Sequence, residues 1–246
     1  MKRALRFTLP LLPVAAVAGY FVLGYQLELL DTQVVADAVA QLGSLWLLYL
    51  ITILQTVLYT AFCGFFGCLL AQKIGILHPL RIEKKLLLIT LTLSLAGGIL
   101  FSLDYWTFGA WMPELRAGVT PITLNNWVGS LVYGGIVEEL MLRLFFMSLV
   151  AVLLWKLFEK GAENPSKKML VLANVVAALL FAAGHLPATV AMFGSLTPML
   201  LIRCFLLNGG FGILFGWLYR KYGIQYAMIS HAALHLVSKL IWTLFA

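Results

Sequence analysis

Seven long apolar runs constrain the fold of this chain more than any other feature. Each is close to or above the length of about 20 helical residues that crosses the hydrocarbon core of a bilayer. With 62% hydrophobic and only 11% charged residues among 246, the chain has too little polar surface for a soluble domain. The runs are continuous rather than alternating, which excludes a β-barrel. They cover residues 9–26, 43–72, 86–103, 127–158, 169–190, 196–219 and 223–245.

The sequence therefore predicts an all-α fold, a polytopic bundle of seven or eight transmembrane helices forming one integral membrane domain over residues 1–246. Eight spans are the alternative because the fourth run is long and contains Gly134-Gly135, where we expect a kink or break. The N-terminus resembles a secretory signal peptide. We interpret it as an uncleaved first helix.

The net charge of +7 is interpreted as a determinant of topology, and we expect no nucleic-acid partner. Lysine and arginine concentrate at the N-terminus and in alternate loops, whereas the connections 27–42, 104–126 and 191–195 contain only Arg116. The positive-inside rule then places the N-terminus in the cytoplasm and the C-terminus outside. We predict a multi-pass protein of a prokaryotic cytoplasmic membrane, with the lipid bilayer as its surroundings.

Two adjacent glutamates are the only acidic residues well inside an apolar run. A buried ionisable group is costly in a membrane unless it is paired, and it often marks a functional site. Glu139 and Arg143 are i and i+4, with the glutamate first, so they can form an ion pair on one helix face. Glu138 points about 100° away and has no partner on its own helix. We therefore expect function at Glu138, whereas Glu139 is equally well explained as structural.

Three histidines also lie within apolar runs. His185 is near the end of the fifth run, and His231 and His235 are i and i+4 on the seventh, which places both on one helix face. A single helical histidine is commonly a satisfied core residue. Three of them, together with an unpaired glutamate, favour a catalytic site.

Glutamate and histidine together can activate water. A glutamate in a low-dielectric site can act as a general base near neutral pH, and imidazoles can orient the water or donate to an oxyanion. A peptide bond is the natural target inside a membrane. The sequence contains no GxSG, no pair of intramembrane aspartates and no HExxH, which argues against the serine, aspartyl and common zinc types of intramembrane protease.

Three ordered motifs carry a resemblance to the CAAX prenyl protease and bacteriocin-processing family, also called CPBP or Abi intramembrane proteases. EExxxR matches Glu138 to Arg143, and FxxxH matches Phe181 to His185. The third motif, commonly HxxxN, is approximated by His231 and His235. The resemblance covers about residues 125–240, the motif-bearing catalytic core, whereas residues 1–124 hold the N-terminal spans without a motif.

The resemblance implies a glutamate-type peptide hydrolase with an intramembrane catalytic cavity. Glu138 would activate water shared with His185, and His231 and the position at 235 would form the oxyanion hole. Supporting roles would fall to Glu139, Arg143 and Phe181. The substrate would be a membrane-associated or exported protein or peptide.

Histidine at position 235 departs from the family's usual asparagine. It creates a set of Glu138, His185, His231 and His235, whose ligand types also suit zinc. We favour a metal-independent enzyme with no cofactor, and zinc is the alternative. Arg203 is predicted to pair with one of the two glutamates, to bind a substrate carboxylate or to extend to the interface, while Asn208-Gly209-Gly210 is a helix break or a close-packing face. These residues and Asn174 stay outside the predicted catalytic set.

Two other classes of function remain open at this point. One is a non-catalytic membrane scaffold or immunity protein of the same fold. The other is a transporter that uses Glu138 for proton coupling, although the sequence lacks the inverted repeats typical of transporters.

Overall fold

The seven predicted spans are present as helices. The structure is a computed structural model that describes residues 1–119 and 122–246. Within these ranges about 85% of the chain is helical and no strand occurs. Seven helices in the described part are long and apolar enough to cross a membrane. They are named α1 (Lys2–Leu29), α2 (Leu45–Lys73), α3 (Lys84–Ala110), α4 (Leu124–Phe158), α5 (Lys167–Phe193), α6 (Pro198–Tyr222) and α7 (Ile224–Phe245).

The central helix of the bundle is α4, which packs against α1, α2, α5 and α7. Around it, α3 packs along α7 and α5 packs along α6. A short helix, Thr32–Leu42, connects α1 to α2, and Asp31 caps its N-terminus by accepting a hydrogen bond from the backbone of Gln33 at 2.7 Å. The motif-bearing glutamates therefore lie on the helix with the most helical neighbours.

The glycine pair of α4 does not break the helix. The segments Gly129–Glu138 and Leu140–Met147 instead form π-helix, with wider turns that often occur at functional sites. A Cβ atom added at Gly135 would lie 2.8 Å from Cβ of Ala232 on α7. Of the predicted kink or break, the break was wrong, because the helix is continuous through the pair, while the kink stays a prediction.

The short loops rich in lysine and arginine meet at one end of the bundle. Arg3 donates to the carbonyl oxygens of Leu77 and His78, and Gln225 donates to the carbonyl of Pro79 at 3.1 Å. The N-terminus, the α2–α3 loop and the α6–α7 turn thus share one face. This agrees with the predicted alternation of basic loops, while the orientation of that face in a cell remains a prediction.

Candidate active site

A cavity of about 560 Å³ opens among the helices at the end opposite the basic loops. Its wall comes from the C-terminal parts of α1, α3, α5 and α7 and the N-terminal parts of α4 and α6. Because successive spans cross the membrane in opposite directions, these parts lie at the same end of the bundle. Four of the predicted site residues line the cavity, namely the catalytic candidates Glu138, His185 and His235 and the supporting residue Phe181.

Glu138 and Glu139 have different surroundings. The Glu138 side chain is half-buried and faces the cavity, and no described residue forms a hydrogen bond or ion pair with its carboxylate. Glu139 is fully buried, and its Oε1 lies 3.2 Å from Nη1 of Arg143. This contact is an ion pair without hydrogen-bond geometry, since Nη1 has no hydrogen-bond acceptor. The predicted Glu139–Arg143 pair is therefore present.

Two aromatic rings complete the surroundings of Arg143. The guanidinium carbon lies 4.3 Å from the ring centre of Phe181 and 5.4 Å from that of Phe215. A cation over an aromatic face is attracted to the ring, more strongly when water is excluded. Phe181, which belongs to the second motif, thus helps to stabilise the buried arginine of the first motif.

His185 occupies a turn that proline causes. Pro187 lacks an amide proton, so the α-helical geometry of α5 is interrupted at His185. This residue separates the two parts of α5, Lys167–Gly184 and Leu186–Phe193. The His185 amide bonds to the carbonyl of Ala182 at 3.1 Å. The carbonyl of Phe181 instead accepts a hydrogen bond from Nδ1 of the His185 ring at 2.8 Å. With Nδ1 as donor, Nε2 of the neutral ring is an acceptor.

His231 and His235 form a chain of polar contacts that begins at Glu139. Nδ1 of His231 donates to Oε1 of Glu139 at 2.8 Å, and the Nε2 atoms of the two histidines lie 3.2 Å apart. His231 is 3% exposed and stacks on Phe215 at 4.4 Å between ring centres. It is not part of the cavity wall, whereas His235 is. Sequence reasoning missed the Glu139–His231 contact because it joins two helices.

The secondary candidates have structural partners. Arg203 is held by Asp104 at the end of α3, with 2.8 and 3.1 Å from Nε to the two carboxylate oxygens. The predicted pairing of Arg203 with Glu138 or Glu139 was wrong, because Asp104 is the nearer carboxylate. Asn174 donates to the carbonyl of Ile213 at 3.0 Å, and Asn208 lines the cavity.

The segment Asn208-Gly209-Gly210 of α6 is not tightly packed, since a Cβ atom added at Gly209 would lie 3.8 Å from Cβ of Ala182 and nothing lies within 4 Å of one at Gly210. The helix continues through Phe205–Gly209 as π-helix. A Cβ atom added at Gly212 would lie 3.1 Å from both Cβ of Ala178 and Nη2 of Arg143. Both alternatives for Asn208-Gly209-Gly210, a helix break and a close-packing face, were therefore wrong, and the close approach lies at Gly212.

Two polar residues of the cavity wall, Lys239 and Asn126, were not predicted from the sequence. Lys239 on α7 is 5% exposed and its ammonium donates to Oδ1 of Asn126, at the start of α4. Lysine near the end of an apolar run commonly extends to the membrane interface. Its i+4 spacing from His235 places both side chains on one face of α7, and this is the one sequence feature that could have indicated that Lys239 lies at the site.

The histidine and acidic residues do not form a metal-binding cluster. Among the residues that the structure describes, no group of three or more His, Cys, Asp or Glu side chains is placed to hold a metal ion. The four residues considered for zinc, Glu138, His185, His231 and His235, are not gathered into such a group, and the absence of a cofactor stays a prediction.

The fold and cavity define a polytopic membrane protein with a carboxylate and imidazoles facing an intramembrane space. Residues 120–237 match the family described as type II CAAX prenyl endopeptidase Rce1-like. This match confirms, for the motif-bearing part of the chain, the CAAX (CPBP) protease family that its motifs predicted. At family level it is an integral, multi-pass membrane protease. Comparisons with curated proteins and with solved structures found no match.

Proposed function

We propose that this protein is an intramembrane endopeptidase that hydrolyses a peptide bond of a membrane-associated or exported substrate with water activated by Glu138 and His185. The observation that carries the proposal is the unpaired Glu138 carboxylate in a cavity that also presents His185 and His235. Structural ion pairing accounts for Glu139 and leaves Glu138 without such a role.

In the proposed reaction, Glu138 takes a proton from water while Nε2 of His185 accepts the second hydrogen bond of that water. The hydroxide oxygen bonds to the carbonyl carbon and forms a tetrahedral oxyanion. Glu138 then gives its proton to the leaving nitrogen as the carbon–nitrogen bond breaks. The products are a carboxylic acid and an amine, which become a carboxylate and an ammonium when the acid gives its proton to the amine, and the glutamate returns to its initial form.

His235 is proposed to stabilise the oxyanion. The proton between the Nε2 atoms of His231 and His235 can belong to either ring. When the two rings together carry three protons and His231 holds two of them, the Glu139 carboxylate stabilises the charged His231 ring, and neutral His235 keeps its own proton on Nδ1 and donates a hydrogen bond to the cavity. Loss of one oxyanion donor typically lowers the rate by about 100- to 1000-fold.

We propose that the enzyme needs no metal, since the described side chains gather no set of three ligands. Elemental analysis of purified protein checks this, with His235→Asn as the matched variant. Less than about one-tenth equivalent of zinc is expected in both. Stoichiometric zinc in the native protein that is lost in His235→Asn contradicts metal independence.

The substrate can be found by comparing the protein termini of membranes that contain the native protein or Glu138→Gln. New N- and C-termini that appear only with the native protein support the endopeptidase. If Glu138→Gln, His185→Ala and His231→Ala each retain the full biological effect and the same termini, the protein is a scaffold and the proposal is wrong.

A further inference from the structure

A second unpaired charge lies in the cavity wall, and it is positive. Lys239 is more than nine-tenths buried. Among the described residues, the one polar group that its ammonium contacts is the neutral side-chain amide of Asn126. An ammonium group has three donors and one positive charge. A buried cation without a counter-charge is strongly unfavourable in a membrane, so this position is suited to an anion that the protein chain does not supply.

The other charges near the cavity have partners. Asp104 neutralises Arg203, and Glu139 neutralises Arg143. Glu138 faces the same cavity but forms no ion pair with Lys239. Among the residues that the structure describes, the cavity thus presents one carboxylate without a counter-charge, which the proposed hydrolysis uses, and one separate ammonium without a counter-charge, which it does not use.

We propose that Lys239, positioned by Asn126, binds a carboxylate group of the peptide substrate. One ammonium beside one amide matches a singly charged carboxylate, whereas a phosphate commonly recruits several charged donors. The carboxylate can be the C-terminus of the substrate or an Asp or Glu side chain. The role makes Lys239 a specificity-determining residue.

The distance between the bound carboxylate and the scissile bond can be inferred only if the proposed function is correct. Lys239 follows His235 by four residues on α7, a rise of about 6 Å. If His235 contacts the carbonyl of the scissile bond, Lys239 holds a carboxylate within a few residues of that bond, because an extended peptide covers about 3.3–3.6 Å per residue. Carboxylate binding itself does not depend on catalysis and can be measured without it.

The test uses the full chain carrying Glu138→Gln, purified in detergent micelles, and isothermal titration with matched lipopeptides. The first pair is N-dodecanoyl-Ala-Ala-Ala with a free C-terminus or a carboxamide. The second is N-dodecanoyl-Ala-Glu-Ala-amide against its Gln counterpart. Each pair is measured with Lys239, Lys239→Arg, Lys239→Met and Lys239→Gln, and with Lys160→Met, an exposed loop position, as the control for net charge.

We expect the acid of at least one pair to bind about 10- to 100-fold more tightly than its neutral partner, as for a hydrogen bond to a charged group. A preference for the acid in the first pair shows that Lys239 binds a C-terminal carboxylate. A preference for the acid in the second pair shows that it binds an acidic side chain. The preference should persist in Lys239→Arg and Lys160→Met and fall to within about twofold in the two neutral variants.

Absence of an acid preference in the Lys239 protein overturns the inference even if the neutral variants fail to fold. An equal preference in Lys239→Met also overturns it. If dioctanoyl phosphatidic acid, and neither peptide acid, binds in a Lys239-dependent way, the occupant is a lipid and the inference is wrong. Peptide hydrolysis by the Glu138→Gln protein would instead contradict the proposed function and leave this binding comparison valid.

Discussion

Adjacent glutamates on α4 differ in what they contact, and this difference separates stability from catalysis. Glu139 lies between Arg143 and His231, while Glu138 faces the cavity without a partner among the described residues. A carboxylate that already has two cationic or hydrogen-bonding neighbours is poorly placed to take a proton from water. The free carboxylate is the better general base.

Replacing Glu139 should destabilise the protein, and replacing Glu138 should not. Glu139→Gln leaves Arg143 buried without a counter-charge, and breaking a buried pair typically costs about 3–5 kcal/mol. We expect a clearly lower melting temperature in detergent for Glu139→Gln and an unchanged one for Glu138→Gln. Equal melting temperatures for the two variants would contradict the division of roles.

The substitution His235→Asn distinguishes whether His235 acts as a hydrogen-bond donor or as a base. Asparagine can donate a hydrogen bond but cannot act as a base, so an oxyanion donor at this position predicts that His235→Asn cleaves within about tenfold of the native rate. His235→Ala should be slower by about 100-fold or more. The measurement is the rate of substrate cleavage, and His235→Asn as slow as His235→Ala would refute the oxyanion role.

At the scale of elements, the i,i+4 spacing was sufficient to predict the Glu139–Arg143 contact, because a single helix fixes that distance. The contacts of Glu139 with His231, Arg203 with Asp104 and Lys239 with Asn126 each join different helices. Their partners lie 92 to 113 residues apart. Sequence spacing carries no information about such pairs, so three of these four polar contacts could not be predicted.

The glycine pair illustrates the same limit. Two adjacent glycines predict a weak point in an isolated helix, but in the bundle α7 packs so closely on α4 that a side chain at Gly135 does not fit. The helix remains continuous because neighbouring helices support it. Local propensity was overridden by packing between helices.

This packing leads to a prediction about α4 and α7. Gly135→Ala places a methyl group 2.8 Å from Ala232, and such overpacking typically costs about 1–3 kcal/mol. We expect a lower melting temperature and slower cleavage, because the α7 histidines move away from α4.

Gly210→Ala is the matched control, since nothing lies within 4 Å of a Cβ atom there. This variant should melt at or slightly above the native temperature, because alanine favours a helix more than glycine does. If Gly135→Ala and Gly210→Ala have the same effect, close packing at Gly135 is not what holds α7 in place.

For the whole molecule, hydropathy was sufficient to predict seven spans, because a bilayer requires about 20 apolar residues per helix whatever the tertiary structure. The observed helices extend beyond the predicted runs at nine of the fourteen ends, whereas α2, α6 and α7 begin one or two residues later than predicted. Polar residues such as Glu28 and Lys84 can continue a helix into the interface, which an apolar run does not record. The cavity is lined by six spanning helices and by Leu115 of the α3–α4 connection, so no single span carries a sequence pattern that predicts it.

The topology can be tested with single cysteines. Lys160→Cys lies at the basic end of the bundle and Gln41→Cys lies near the opposite end, in the α1–α2 connection. The native cysteines Cys63, Cys68 and Cys204 are buried and should give little background. In intact cells, a membrane-impermeant maleimide should label Gln41→Cys and should label Lys160→Cys only after the membrane is opened. The reverse pattern would show that the cavity end faces the cytoplasm.

The most direct test of the central claim is the rate at which the purified, reconstituted protein cleaves a substrate identified by its termini. Glu138→Gln keeps the size of the side chain and removes the base, so cleavage should fall by about 100- to 10,000-fold while the melting temperature stays unchanged. A Glu138→Gln protein that cleaves the same bond within about twofold of the native rate would contradict the account.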